Sequence, residues 1–231
     1  MTAKIDVNWQ AFTAEVNTAL NNASRLTRLP LSGDRWEEIL VAVFERLGHA
    51  VRWRPGSHSP GADIQLYQTG LADTEISVKA GSLKRLEKTV KVLTFSSYRL
   101  TRHTSLEAKK HFIDEDAAKI DWYLFAARED TKTVRNYHVY LTRATIVNAE
   151  GASWTETTSG WVGVQDNGVR MRIVKNMSDQ LWGDIPLSLI DHRPEELNGN
   201  VLGARIATVT IPVEQLGSRI DLLFSQILDQ L

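Results

Sequence analysis

The chain contains no cysteine, which excludes disulfides and thiolate metal sites and fits a reducing compartment. No stretch approaches the ~18 apolar residues needed to span a bilayer, and the first residues, Met1-Thr2-Ala3-Lys4-Ile5-Asp6, lack the apolar core of a secretory signal. A soluble, cytoplasmic protein with no membrane partner is expected. The six histidines show no two-ligand metal spacing, so zinc is not expected. A Gly-x-Ser-x-Gly elbow and a glycine-rich loop closing on Lys-Ser or Lys-Thr are both absent, which disfavours serine hydrolases and triphosphatases and leaves no expected nucleotide cofactor. Internal repeats and low-complexity linkers are missing too, and 231 residues suit one domain.

Net charge is close to neutral at −1, which argues against a uniformly basic coat. The average hides a segregation. Lys79, Lys84, Arg85, Lys88, Lys91, Arg99, Arg102, Lys109 and Lys110 fall between residues 79 and 111 against only Glu87 and Glu107, a local excess of +7. Such a segment is either a solvated helix face or the side of the molecule that meets a polyanion.

Hydrophobic periodicity predicts a helix over 8–27, with Trp9, Phe12, Val16 and Leu20 at helical spacing, and a stronger one from Asp34 to Gly48, with Asp34 as its N-cap. A strand over 49–54, the loop Pro55-Gly56-Ser57-His58-Ser59-Pro60-Gly61, and strands over 62–67 and 74–80 around Gly70 follow. Leu83, Leu86, Val90 and Leu93 return to helical spacing, and 96–104 reads as a loop. A helix capped by Ser105 runs to Lys119; 122–127 and 137–141 are strands. Beyond Asn148 short strands and turns suggest a β-rich subdomain, closed by an amphipathic helix over 213–231. The expected class is α/β, a central mixed sheet flanked by helices with a C-terminal β-rich elaboration, in one domain over 1–231.

Alternation within the hairpin places the chemistry. Ala62, Ile64 and Leu66, then Ile76, Val78 and Ala80, are apolar; Asp63, Gln65 and Tyr67, then Glu75, Ser77 and Lys79, share the other face. Antiparallel pairing about Gly70 or Leu71 sets Asp63 opposite Ser77 or Lys79. A carboxylate beside an ammonium can ligate Mg²⁺ and orient its water, with Glu75 and Gln65 as outer oxygens. Glu37, at the start of the preceding helix, can supply a second carboxylate, and Glu38 competes for that role.

Gly33-x-x-Trp36-Glu37, then Leu47-Gly48-His49-Ala50-Val51, Gly61-Ala62-Asp63-Ile64 and Ile76-Ser77-Val78-Lys79, together resemble the catalytic core of the PD-(D/E)XK nuclease superfamily, over residues 33–80. The likeness is to type II restriction endonucleases. The resemblance implies a restriction-endonuclease-like core and Mg²⁺-dependent cleavage of double-stranded DNA, with Glu37, Asp63 and Lys79 as the site and a homodimer as the assembly. The sequence departs from the family's pattern at Ser77, where an acidic or amide residue is usual; Glu37 or Glu75 is then left to make up the charge. For DNA contact, Arg99, Arg102 and His103, with Lys84, Arg85 and Lys88, are the candidates, since guanidinium forks suit guanine edges and lysines suit phosphates.

Overall fold

The computed structural model describes residues 5–54, 61–86 and 89–220. It is an α/β architecture in which helices pack on one large mixed sheet. Helix α1 (Trp9–Ser24) is capped by the Asn8 side chain, which accepts from the Ala11 N–H. Helix α2 (Gly33–Arg46) buries Trp36, Leu40, Val43 and Phe44, the stripe read from its spacing. Its N-cap is Ser32 rather than Asp34. Asp34 lies inside the first turn, where its charge meets the positive end of the helix dipole without capping. The chain leaves α2 through Gly48, whose φ of 85° belongs to the left-handed region that glycine adopts without strain.

The strands are β1 (Ala50–Trp53), β2 (Ile64–Tyr67), β3 (Thr74–Leu86), β4 (Val90–Arg99), β5 (Trp122–Asp130), β6 (Val134–Arg143), β7 (Ser153–Thr157), β8 (Gly160–Val164), β9 (Arg170–Val174), β10 (Gln180–Pro186) and β11 (Gly203–Pro212), with helix α3 (Leu106–Ala117) between β4 and β5. Their order is β11-β6-β5-β3-β4-β10-β9-β8-β7, with β2 added to β3 and β1 to β2. Among the described residues only β3 and β5 pair in parallel; the connection between them carries β4 and α3. Strand alternation divides the core. Leu124 and Ala126 of β5 join α1 and α2 on one face, and Tyr123, Phe125 and Ala127 join Ile113 of α3 on the other.

Several expectations are corrected. The helix read from Leu83 to Leu93 is the β3–β4 hairpin, in which Leu83 and Leu93 are direct cross-strand partners. The bend of the hairpin reproduced a helical spacing that the β-branched Val90, Val92 and Thr94 do not favour. The loop read at 96–104 is strand as far as Arg99. Ala62 precedes β2 and buries in the α3 core, away from Ile64 and Leu66. The strands after Asn148 build no sheet of their own. β7 to β10 extend the common sheet beyond β4, while β11 closes its opposite end on β6. After Pro212 the chain makes a 3-10 turn over Val213–Gln215 before helix begins at 218; the rest of the expected C-terminal helix, like the loop 55–60 and Lys88, lies outside the described residues.

Close packing of β4 on β10 depends on a missing side chain. A Cβ at Gly183 would sit 2.2 Å from the ring of Phe95, its cross-strand partner. Gly183→Ala is therefore expected to cost about 1–3 kcal/mol, read as a lowered urea midpoint with unchanged m; an unaltered midpoint would contradict this packing.

Candidate active site

Strand β3 is paired with β5 along 76–82, but its opposite edge is shared. β2 covers 74–76 and β4 covers 81–86. Between them the edge of β3 over 77–80 has no strand beside it among the described residues, and backbone donors there need another partner. Asp63 provides it. Its main-chain N–H donates to the Ile76 carbonyl at 3.0 Å, which carries the β2 register one step beyond Ile64↔Ile76 and sets Asp63 opposite Ser77. Its Oδ2 accepts from the Val78 N–H at 2.7 Å and the Ser77 hydroxyl at 2.9 Å, and lies 3.5 Å from Lys79 Nζ. Oδ1 makes no hydrogen bond among the described residues.

Glu37 approaches from α2. Its Oε2 accepts from Trp53 Nε1 at 3.2 Å, tying the helix to β1. Burial pushes the Glu37 carboxyl above its ordinary value; the Trp53 hydrogen bond draws it back, the charge of Asp63 adds to the rise, and Lys79 opposes it. Glu37 thus shares the electrostatic neighbourhood of Asp63 and Lys79. Glu38 does not: it is exposed and paired with Arg35 at 2.6 Å.

Other candidates are held elsewhere. Glu75 pairs with Gln65 across the strands and faces Arg54 at 3.7 Å. Gln65 accepts from Arg54 and Tyr67 and donates to Asp73. Neither is bonded to Asp63. Lys84, Arg85, Arg99 and Arg102 are exposed, with Lys84 five strand residues beyond Lys79, roughly 17 Å along β3. His103 packs its ring on Phe112 at 4.4 Å. Part of the basic segment is neutralised in place, since Lys91 meets Glu129, Lys109 meets Asp179 and Lys110 meets Glu107.

Two residues of the site escaped the sequence reading. Asp116, near the end of α3, is 6% exposed; burial raises its carboxyl above the ordinary value, Lys79, Lys119 and the Gly61 N–H draw it back, and Asp63 adds to the rise. Tyr98 packs its ring on Phe112 of α3, and burial lifts its hydroxyl well above the usual phenol range, with Asp116 adding to the rise. It faces α3 because β4 carries a bulge: Trp182 pairs with Ser96 but Gln180 with Arg99, so one extra residue reverses the alternation. The signal for Asp116 was present, because Ile113, Asp116, Ala117 and Ile120 repeat at helical spacing and bury an acid within an apolar stripe.

Among the described residues no three of His, Asp and Glu stand close enough together to hold a metal ion by themselves, and no helix is long and apolar enough to cross a membrane. Two surface clefts, of about 240 Å³ beside Trp36 and Trp182 and about 430 Å³ beside His49 and Tyr67, both exclude Asp63 and Lys79. The Lys79 and Asp63 side chains themselves are 20% and 14% exposed. No family model, curated protein or solved structure matches the chain.

The Glu37 environment has a measurable consequence. A carboxyl whose folded-state value exceeds its ordinary 4.5 binds its proton more tightly when folded. Native stability therefore falls as pH rises from the unfolded value through the folded one. Glu37→Gln, which keeps an acceptor for Trp53, should raise the melting temperature relative to wild type at pH 7 in metal-free buffer and leave it unchanged at pH 3. An equal difference at both pH values would show that Glu37 carries no such penalty.

Proposed function

We propose that the protein is a Mg²⁺-dependent endonuclease that hydrolyses phosphodiester bonds of double-stranded DNA, acting at a specific sequence as type II restriction endonucleases do. The observation that carries this reading is the Asp63 carboxylate held in the notch of β3 with Lys79 Nζ 3.5 Å from it, at the positions where the motif resemblance expects them.

The residues present fit a magnesium ion. Mg²⁺ binds through one or two carboxylates plus waters and substrate phosphate rather than an all-protein cage, and Asp63 keeps one oxygen uncommitted while the other is fixed by Ser77 and Val78. When bound, the ion supplies Lewis acidity and lowers the pKa of a coordinated water. Lys79 places a positive charge where negative charge grows on the scissile phosphate and can hold the attacking water in line. Glu37 adds a second carboxylate from α2, steadied by Trp53. Water adds to phosphorus as the bond to the leaving sugar oxygen breaks, and the departing oxygen takes up a proton. Exposed Arg99 and Arg102 with Lys84 and Arg85 are the groups offered to DNA, and a two-fold homodimer lets one subunit cut each strand of a symmetric site.

Ser77, neutral where an acid is usual, favours a second reading: a DNA-binding module that does not cut. A repair, junction-resolving or modification-dependent nuclease is the related alternative. Incubation with plasmid and Mg²⁺ separates them through discrete fragments, bound but intact DNA, or cutting confined to branched or methylated substrates. In the first case Asp63→Asn and Lys79→Ala should each lower the cleavage rate by roughly 10²-fold or more with DNA affinity retained. Wild-type turnover in either variant would reject the site.

A further inference from the structure

The notch holds one carboxylate on the strands, and the strand position that would add a second is Ser77, which is 2% exposed and spends its hydroxyl on Asp63. Glu37 comes from the α2 side of the sheet. Ser77 and Lys79 alternate with Ile76 and Val78, which belong to the α1–α2 core, and so point to the side of α3. The acid that α3 brings to that side is Asp116.

Three features set Asp116 apart from a structural aspartate. First, it is buried, yet its Oδ1 has no hydrogen-bond partner among the described residues, and a buried carboxylate oxygen left bare is costly. Asp114, two residues earlier, shows the contrast: both its oxygens are satisfied, by the N–H groups of Ala149 and Glu150. Second, Asp116 sits in the last turn of α3, where the helix dipole disfavours an anion and no basic residue of that turn compensates. Third, the groups that act on its carboxyl include Lys79, the ammonium that also faces Asp63, and the Gly61 N–H two residues before Asp63. The two carboxylates are thereby tied to one stretch of chain and to one ammonium.

We infer that a divalent cation is seated between Asp63 and Asp116, so that α3 supplies the carboxylate that Ser77 withholds from the strand. The inference rests on the metal-dependent reading above and deepens it. Two carboxylates satisfy an ion that retains several waters, so the absence of a three-ligand cage among the described residues does not oppose it. Tyr98, turned toward α3 by the β4 bulge, packs its ring on Phe112 on the same side of the sheet.

Mn²⁺ binding to the intact chain without DNA, followed by electron paramagnetic resonance and by paramagnetic broadening of backbone amides, provides the test. In wild-type protein the amides of Asp63, Val78 and residues 116–118 should broaden together. Asp116→Asn, which keeps the side chain's shape and removes its charge, should weaken Mn²⁺ binding roughly tenfold or more, and adding Ser77→Glu to that variant should recover most of the loss by returning a carboxylate from the strand. Wild-type Mn²⁺ affinity in Asp116→Asn, broadening that spares 116–118, or no Mn²⁺ binding by wild type at millimolar concentration would each overturn the inference. If Asp116→Asn fails to fold, the wild-type broadening pattern still decides. Mn²⁺ seated as described on a protein that leaves plasmid intact would remove the nuclease reading and keep the metal seat; plasmid cutting with undisturbed Mn²⁺ affinity in Asp116→Asn would do the reverse.

Discussion

A sheet that forks exposes main-chain donors and acceptors along the strand at the crotch, and these must be bonded or hydrated. In this protein β2 and β4 leave β3 on the same edge, and the Asp63 side chain takes the place of the missing neighbour by accepting from the Val78 N–H. The bond fixes the carboxylate at the one place on the sheet where a side chain on β3, two residues along, can reach it. Ser77 holds it from the same strand and Lys79 faces it. The chemistry proposed here needs an acidic oxygen whose position does not wander, and the unpaired edge of β3 supplies that constraint.

The electrostatics of the notch follow from this placement. Lys79 acts on three carboxylates, Asp63 at 3.5 Å and Glu37 and Asp116 through their fields. Each acid comes from a different element, so their mutual repulsion is borne by the packing of α2 and α3 on the two faces. The two cores that flank the sheet are heavily aromatic, with Phe12 against Phe44 on one side and Phe95 against Phe125 on the other. Sites that gather like charges and bare polar atoms within such a frame carry local destabilisation which the rest of the fold offsets.

Elements with one dominant periodicity and a clear end were legible from residues alone. α1 and α2 declared themselves through Phe12, Val16 and Leu20 and through Trp36, Leu40 and Phe44; the hairpin about Gly70 did so through strict alternation, and its register came out as Ile64↔Ile76. The β3–β4 hairpin was not legible, because a strand buried between two neighbours loses its alternation. There Val92, Leu93, Thr94 and Phe95 are all buried, and a run apolar on both faces carries no period to tell strand from helix. Gln65 and Glu75 were placed on their shared face, but that Arg54, just beyond the end of β1, reaches both could not be read from spacing.

The amino-acid sequence by itself determined the α/β class, the facing of Asp63, Ser77 and Lys79, and the charge imbalance of the central segment, because each depends on neighbours a few residues apart. Tertiary structure alone decided what depends on distant segments: the tie between Glu37 and Trp53, the bulge that turns Tyr98, and the burial of Asp116 on α3. The reason is physical. Local spacing sets which way a side chain points along its own strand or helix, whereas its partner is set by how strands and helices far apart in the chain come to share one buried edge.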